Sequence, residues 1–408
     1  MSAAVQPPPG RQPITSRSRL LSLLSDACEI EHALLCSYLY SAFSLKQELS
    51  EGGMTWRQQQ RVRAWAAQIY AVAAEEMLHL AQAWNLLAAI GGMPYYHRPG
   101  FPQPATYYPM NIPLALTPFG EDTLKRFIMY ELPSHIAPEE MARRLGLPAE
   151  QAPKGEDLTV GELYELIAGA FRGIPENVLF VGAPSQQIGQ DIIDFPDIIK
   201  VTDRESAVAA VQMIVRQGEG TSQDDLNCHF GMFLNVLEEF RSETAKGGAA
   251  FDPVRRVVSN PVIKITGFEG DHGVTLVADA YASEVAQFFN DVYGLMMRML
   301  QFSFSCSIDN APVVKTFAKN AIVVMVTVLK PVGEALMLLP NGPDDTMCAG
   351  PEFGLARHVA LPAEPAVADR IVRERLGELL VSGNALAEDG RAPPQLRNAV
   401  RNLAQYAG

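Results

Sequence analysis

The four residues Glu76-Met77-Leu78-His79 decide the interpretation of this chain, because they place a carboxylate and an imidazole one helical turn apart within an apolar stripe. Steps of three and four residues lead outward from them along one face of a long helix. That face consists of Val62, Trp65, Ile69, Val72, Glu76, His79, Ala83, Leu86 and Ile90. A buried carboxylate is costly without a partner, and a metal ion suits Glu and His together. We therefore predict a metal site inside a helical bundle.

A second helix repeats this pattern upstream and also carries a carboxylate in its apolar stripe. The stripe runs through Leu20, Leu24, Ala27, Glu31, Leu34 and Tyr38. An isolated buried Glu is more often paired with a neighbouring Arg or used as a cap, but two such stripes favour a shared metal site. Glu29 and His32 are expected on the less buried side of this helix, because their row runs through Ser25 and Cys36.

Tyr38 is the candidate catalytic side chain, since it follows Glu31 on the same stripe. Its hydroxyl can hydrogen-bond a metal ligand or relay an electron. The alternative is that the ring packs in the core with its hydroxyl satisfied, as a buried Tyr usually does.

A third helix, predicted over residues 159–173, is expected to supply another carboxylate. Thr159 is a plausible N-cap, and Glu162 three residues later completes a capping box, which would give Glu162 a purely local role. A four-helix metal site nevertheless needs a carboxylate from a third helix, so Glu162 is also a candidate metal ligand. Glu165 is the weaker alternative on the same helix.

The fourth contribution is expected further along the chain. A helix over 205–218 is followed by Glu219, which is either a ligand or a polar residue that ends the helix. After a turn at 222–225, a third stripe consists of Leu226, His229, Phe233, Val236 and Phe240. A lone His on such a face is more often a core residue, but the other candidate ligands favour a metal-binding role for His229.

The amino-acid composition limits the classes of protein to which this chain can belong. The chain has 408 residues, with 48% hydrophobic and 19% charged residues, an ordinary globular balance. Its net charge of −13 and the lack of a Lys/Arg cluster argue against nucleic acid or an anionic membrane as partner. The apolar run Ala321–Leu329 is too short to span a bilayer. Five scattered cysteines indicate thiols in a reducing compartment, so we expect a cytoplasmic protein.

We divide the chain into three parts. Residues 1–19 are rich in Pro, Ser and Arg and are expected to be a disordered tail. Residues 20–245 are expected to form the metal-binding bundle, with a proline-rich crossover over 95–118. Residues 246–408 are expected to form a helical extension packed on the bundle.

Several stretches together resemble the ferritin-like superfamily, and within it the iminophenyl-pyruvate dimer synthase branch of violacein and rebeccamycin biosynthesis. In the predicted bundle these are Glu29–Ala33, Glu75–Leu80, Thr159–Tyr164, Gln217–Gly220 and His229–Phe230. Downstream they are Phe289–Tyr293, Leu329–Glu334 and Ala349–Phe353. The chain departs from the superfamily pattern in having one Glu-x-x-His in a stripe, with His229 and Glu219 in place of the second. The pathway enzymes are also much longer than this chain.

The resemblance implies an all-α protein, a ferritin-like four-helix bundle with a C-terminal helical extension. It implies a dinuclear site for two iron ions, or manganese. The expected metal ligands are Glu31, Glu76, His79, Glu162, Glu219 and His229. The implied function is an oxidase or coupling enzyme that uses O2 and an aromatic or amino-acid-derived small molecule, as a small homo-oligomer. The alternative is a non-catalytic or storage-type metal-binding protein, although a storage subunit needs little beyond four helices.

Overall fold

The computed structural model describes residues 12–103, 113–148, 158–220, 227–265, 273–306, 311–343, 346–355 and 360–406. The helices of the first half are α1 Arg17–Ser44, α2 Trp56–Ala89, α3 Glu121–Tyr130, α4 Pro138–Leu145, α5 Val160–Gly173, α6 Glu176–Leu179, α7 Arg204–Glu219 and α8 His229–Gly247. Those of the second half are α9 Ala280–Ser305, α10 Ala311–Val324, a π-helical segment Met325–Leu329, α11 Lys330–Leu336, α12 Pro365–Glu388 and α13 Pro394–Leu403. A two-residue parallel ladder joins β1 Pro261–Val262 to β2 Thr275–Leu276. The all-α prediction is confirmed.

The long helices α1 and α2 pack against each other and form the centre of the fold. Ser16 caps α1, and Thr55 with Gln58 forms a capping box that begins α2. After α2 the chain turns at Gly91, whose φ of 79° strains any residue with a side chain. The apolar stripes of the two helices meet, which brings their buried carboxylates together.

Two further helix pairs enclose the interior. α5 packs on α7 and α3 packs on α8, while α1 contacts α5 and α2 contacts both α7 and α8. The ring of Tyr38 on α1 packs against Phe127 of α3 at 4.6 Å and Phe233 of α8 at 5.0 Å. The interior between these helices is the space into which the predicted ligand stripes point.

The second half of the chain covers another side of the α1–α2 pair. α9 contacts α2, α10 and α12, and α11 contacts α1 and α13. His32 is therefore fully buried, and Glu29 is buried as well, against the expectation that both lie on the less buried side of α1. Tyr293 of α9 covers His32. The stripe pattern of α1 could not reveal this, because a later segment of the chain provides the cover. The proposed boundary at residue 245 stays a prediction.

One stretch, Pro312–Leu336, is long and apolar enough to cross a membrane by length and composition alone. The run Ala321–Leu329 is part of it, because α10, the π-helical segment and α11 follow one another without a break. The sequence-based estimate of its length was therefore too short. Core helices of soluble proteins pass the same test, and this stretch packs on α9 and α13. The absence of a membrane partner stays a prediction.

Three predicted features lie partly or wholly outside the described residues. These are residues 1–11 of the tail, residues 104–112 of the crossover, and the turn at 222–225 together with Leu226. The described end of the crossover is tied to the second half, because Leu116 exchanges two hydrogen bonds with Asn260, each of 2.8 Å.

Candidate metal centre

Five acidic and imidazole side chains converge inside the bundle. Glu31 comes from α1, Glu76 and His79 from α2, Glu131 follows α3 directly, and His229 begins α8. All five are buried, with 6% or less of each exposed. They form two groups that share Glu76. The first group is Glu31, Glu76 and His79, the second is Glu76, Glu131 and His229, and within each group one ligand atom per residue lies within 4.8 Å of the others.

The two carboxylate oxygens of Glu76 face different histidines. Oε2 lies 3.1 Å from Nδ1 of His79, and Oε1 lies 2.9 Å from Nδ1 of His229. Each histidine also faces a second carboxylate. Nδ1 of His79 is 3.6 Å from Oε2 of Glu31, and Nδ1 of His229 is 3.5 Å from Oε2 of Glu131. Glu76 is thus placed as a carboxylate that can serve two ions.

The outer ring nitrogen of each histidine has its own acceptor. Nε2 of His79 lies 2.8 Å from Oε1 of Gln217, and Nε2 of His229 lies 2.7 Å from Oε2 of Glu75. We assign a proton to Nε2 in both rings, since these oxygens accept hydrogen bonds. Nδ1 is then free to point a lone pair at an ion, which is the form in which histidine binds metals.

A metal cation also fits this arrangement. Oε1 of Glu76, Nδ1 of His229 and Oε1 of Glu219 are buried and lack a hydrogen-bond partner among the described residues. Yet the first two atoms are only 2.9 Å apart. Two ligand atoms about 2.1 Å from one ion, at right angles to each other, would lie about 3 Å apart. Carboxylates with imidazoles are a donor set that suits iron or manganese, so the residues present fit such a pair of ions.

The close approach of these groups shifts their pKa values. Burial raises the pKa of Glu31 to about 7, and the neighbouring Glu76 acts in the same direction. Burial alone would lower the pKa of His79, but Glu76 and Glu31 raise it to about 10. Glu76 and Glu131 likewise raise the pKa of His229 well above its usual value, against the effect of burial. These shifts favour protonation of the candidate ligands in the metal-free chain, so metal binding would release protons.

The ferritin-like family profile matches residues 24–238, more than half of the chain and all of the five converging side chains. The chain belongs to the ferritin-like family. This assignment confirms the resemblance found in the sequence and the ferritin-like fold.

Two curated proteins are similar to this ferritin-like chain. One, from Chromobacterium violaceum, is named 2-imino-3-(indol-3-yl)propanoate dimerase and is 27% identical over 361 residues, covering 82% of this chain and 34% of its own. The other, dichlorochromopyrrolate synthase from Lentzea aerocolonigenes, is 27% identical over 412 residues, covering 92% and 40%. The chain thus spans a third to two fifths of their lengths. A solved ferritin-like protein from Caulobacter vibrioides aligns with a TM-score of 0.47 and 17% identity, covering 76% of this chain and 96% of that one.

Four of the six predicted ligands of this ferritin-like chain lie in the two groups, namely Glu31, Glu76, His79 and His229. Glu219 lines the same small cavity as the first group. Its Oε2 accepts a hydrogen bond from the Ser134 backbone N–H at 2.9 Å, and burial raises its pKa to about 7. A Cβ atom at Gly161 would lie 1.2 Å from its Oε1, so the Glu219 carboxylate occupies space that Gly161 leaves open.

Glu162 is in neither group. Its Oε2 accepts a hydrogen bond from the Thr159 backbone N–H at 3.0 Å, and its own N–H donates to the Thr159 hydroxyl at 3.1 Å, which completes the capping box. Glu165 is exposed and accepts a hydrogen bond from the Ser134 hydroxyl at 3.3 Å. Glu162 was expected to be either a capping residue or a metal ligand, and in the structure it makes the hydrogen bonds of a capping residue.

Glu131 is the member of the groups that our sequence interpretation missed. The signal was present, because Leu124, Phe127 and Glu131 follow the same three-four spacing that singled out Glu31 and Glu76. The α3 helix is short, and Glu131 falls just after its last residue. Its carboxylate is a candidate for the ligand that a third helix is expected to supply.

Two buried tyrosines donate hydrogen bonds to Glu31 and Glu131, the two carboxylates that belong to one group each and that we call the outer carboxylates. The hydroxyl of Tyr38 donates to Oε1 of Glu131, and the hydroxyl of Tyr164 donates to Oε1 of Glu31. Both rings are fully buried. Burial raises the pKa of each hydroxyl, and the negative charge of the adjacent carboxylate raises it further. They are therefore protonated donors that fix the orientation of the acids. Of the roles considered for Tyr38, hydrogen bonding to a candidate ligand is the one that the geometry displays.

The free space beside the groups is small. A cavity of about 20 Å³ is lined by Glu31, Leu34, Glu76, His79, Tyr130, Glu131, Leu132, Val160, Gly161, Tyr164, Ile214, Val215, Gly218 and Glu219. This is room for about one water-sized molecule beside the acids. An aromatic molecule does not fit there without movement of the surrounding helices.

Proposed function

We propose that this chain is a dinuclear metal-dependent enzyme, an oxidase or coupling enzyme that acts on an aromatic or amino-acid-derived small molecule. The observation that carries the proposal is the pair of His-carboxylate groups that share Glu76. Two iron ions are the favoured metals and manganese is the alternative. When bound, two iron ions would supply one-electron redox chemistry.

The small-molecule class rests on the relatives. The name of one contains an indole bearing an imino acid, and the other is named for a chlorinated pyrrole product. We propose from these two names that this chain acts on an aromatic, amino-acid-derived molecule of secondary metabolism. The chain spans only part of each relative, so we do not extend the proposal to their dimerisation or synthase reactions.

The residues of the chain have distinct roles in this proposal. Glu31, Glu76, Glu131, His79 and His229 would hold the two ions, with Glu76 common to both groups. Gln217 and Glu75 hold the imidazoles of His79 and His229 through Nε2, which leaves Nδ1 of each ring available as a metal ligand. Tyr38 and Tyr164 fix the outer carboxylates and are positioning residues. The buried surroundings exclude bulk water. O2 as co-substrate, a small homo-oligomer and a cytoplasmic location remain predictions.

A ferroxidase or storage-type protein is the second candidate. The observation in its favour is the cavity of about 20 Å³, which admits no more than a small molecule beside the candidate ligands. In that case the site would bind and oxidise iron without an organic substrate.

One experiment tests the metal centre and separates the two functions. Protein reconstituted anaerobically with Fe(II) is analysed for iron, and two ions per chain are expected. It is then exposed to excess Fe(II) and air while its mass and oxygen consumption are followed. The enzyme proposal expects a mass that stays near that of the reconstituted protein, and oxygen uptake that rises with a suitable aromatic substrate. Retention of no metal would overturn the proposal, and a shell that accumulates tens of irons per chain would replace it with the storage function.

A further inference from the structure

A second cavity, of about 300 Å³, is separate from the metal centre. Neighbouring residues of α2 line different cavities, because Glu76 lines the metal-centre cavity and Met77 lines the second one. The second cavity extends from the surface into the fold. At its outer end Ala74 is exposed and Val326 is 57% exposed, whereas the residues of α9 that line it are buried. A small organic molecule could therefore enter from solvent and become enclosed.

Part of the wall is a turn of π-helix, Met325–Leu329, and three of its residues line the cavity. The turn is held from α13, because the side-chain amide of Asn402 donates to the Thr327 carbonyl at 3.0 Å. Single turns of π-helix are rare and often occur at functional sites. This wall is therefore a specific feature of the fold.

The polar side chains that line the cavity already have partners within the protein. The Tyr293 hydroxyl is hydrogen-bonded to Nε2 of His32 and lies 3.3 Å from Sγ of Cys36. The Tyr70 hydroxyl and the Lys330 ammonium both donate to Oε1 of Glu334, at 2.9 and 2.8 Å. A ligand that brought a charge or an N–H group inside would leave it without a partner, which is costly. The part of a ligand that enters should therefore be uncharged and apolar.

The aromatic rings of the wall are paired with one another. Phe43 stacks on Phe353 with ring centroids 6.4 Å apart, and Phe289 stacks on Tyr293 at 6.1 Å. Phe353 also meets Phe289 edge to face at 5.0 Å. The other lining side chains are mainly flexible or branched aliphatic groups, among them Leu35, Leu39, Met77, Met296, Met325 and Leu329. Methionine fits its shape to irregular apolar surfaces, so these walls suit a flexible aliphatic chain.

We propose that the second cavity binds the aliphatic chain of a small single-chain amphiphile. The chain fills the apolar interior toward α9, and the polar head stays in water at the outer end beside Ala74 and Val326. Burial of an aliphatic chain is favourable through its apolar area and needs no polar partner. The cavity has about twice the roughly 150 Å³ that encloses one benzene molecule, so it admits a chain of about ten carbons. The site is independent of the proposed metal-dependent function, since no residue of the two ligand groups lines it.

A series of uncharged 1-alkanols, from pentanol to undecanol, tests the site on the intact chain by calorimetry. Each added methylene is expected to tighten binding about fourfold. The gain should level off when the chain outgrows the cavity, at about ten carbons. Binding that is not saturable, or an affinity that does not rise with chain length, would overturn the proposal.

Indole is the matched aromatic probe for 1-octanol, because both molecules contain the same number of carbon atoms and one polar atom. 1-Octanol is expected to bind about tenfold more tightly. Its hydroxyl can stay at the outer end, whereas the rigid indole ring would bring its N–H group among side chains whose polar atoms are already engaged. Equal or tighter binding of indole would indicate an aromatic occupant and would contradict the proposal.

Two variants of α2 then locate the probe. Ala74→Phe places a ring across the outer end of the cavity and should weaken 1-octanol binding at least about tenfold. The fold should be retained, because position 74 is exposed. Ala67→Phe, two turns earlier on the same face and outside the cavity, is the matched control and should bind as the unmodified chain does. Equal affinities of the two variants would place the probe elsewhere and remove the site.

A last variant separates this site from the metal function. Glu76→Gln is expected to lose metal but to bind 1-octanol with unchanged affinity, because Glu76 does not line the second cavity. An unmodified chain that binds 1-octanol but no metal would overturn the proposed function alone, and one that binds metal but no 1-octanol would overturn this site alone. Loss of 1-octanol binding in a folded Glu76→Gln chain would show that the probe depends on the metal centre and would also overturn the site.

Discussion

Oε1 of Glu76 and Nδ1 of His229 lie 2.9 Å apart, yet neither atom has a hydrogen-bond partner in the described part of the chain. The other oxygen of the same carboxylate lies 3.1 Å from Nδ1 of His79. Glu76 is thus the one residue common to both groups, and the two halves of the centre depend on it together.

The shared position of Glu76 predicts unequal effects of two conservative substitutions. Glu76→Gln should abolish binding of both ions, whereas Glu31→Gln should leave one, because Glu31 belongs to the first group alone. Metal analysis after anaerobic loading with Fe(II) measures the difference. Glu165→Gln, an exposed residue outside both groups, is the matched control and should retain two ions. Equal metal content in the Glu76 and Glu31 variants would count against a shared carboxylate.

The capping box predicts that Glu162 can be replaced without loss of metal. Gln fills the same position in a capping box, so Glu162→Gln should keep both the α5 helix and the iron content. Thr159→Ala should instead lower the free energy of unfolding by about 1 kcal/mol, because the side-chain cap is lost. Denaturant unfolding and metal analysis measure both. Loss of an ion in Glu162→Gln would restore the ligand role that the sequence left open.

Removal of the tyrosine hydroxyls should weaken metal binding without abolishing it. Tyr38→Phe and Tyr164→Phe each delete one donor to an outer carboxylate while retaining the ring. Substitutions of groups that orient ligands typically reduce metal affinity by about 10- to 100-fold. Competition with a chelator gives the affinities. Tyr130→Phe, whose hydroxyl donates to the Pro113 carbonyl, is the control and should leave the affinity unchanged.

A pH-dependent contribution to stability is expected from the ion pair between Glu51 and Arg255, whose Oε2 and Nε atoms are 2.6 Å apart. Burial alone would raise the pKa of Glu51, but the Arg255 guanidinium holds it below the usual value of 4.5. The stabilisation is therefore complete above pH 4.5 and is lost as the pH falls through the lowered pKa.

Glu51→Gln isolates this charge, because Gln keeps the hydrogen-bond acceptor for the Gln47 and Glu48 N–H groups. The variant should be less stable than the unmodified chain by about 1 kcal/mol at neutral pH and equally stable in strong acid. Urea unfolding across the pH range measures the difference. A gap that persists undiminished in acid would exclude the ion pair as its cause.

Much of the fold and of the metal centre could be predicted from periodicity alone. The stripes through Glu31, Glu76 and His79 each carry a polar residue at a position where the core requires an apolar one. A buried polar residue is costly without a partner, so its presence in an apolar stripe is a strong indication of a site. Applied to α3, the same rule would have found Glu131. It was missed because the helix is short and a residue at its end is hard to assign to a face.

The partners of the ligands could not be predicted in this way. Gln217, Glu75 and Tyr164 reach the centre because of how their helices are rotated and spaced, and periodicity does not contain that information. The burial of His32 depends likewise on α9, more than 200 residues later in the chain. Contacts between segments that are distant in the chain therefore could not be predicted from a single sequence.

Gly161 determines where the Glu219 carboxylate can lie. A Cβ atom at position 161 would lie 1.2 Å from Oε1 of Glu219, so any side chain there would displace this carboxylate from its present place. The atom that would have to move is the far end of a flexible side chain, so Glu219 can respond by adopting another rotamer. The absence of a side chain at position 161 thus acts as a rotamer selector for a residue on another helix.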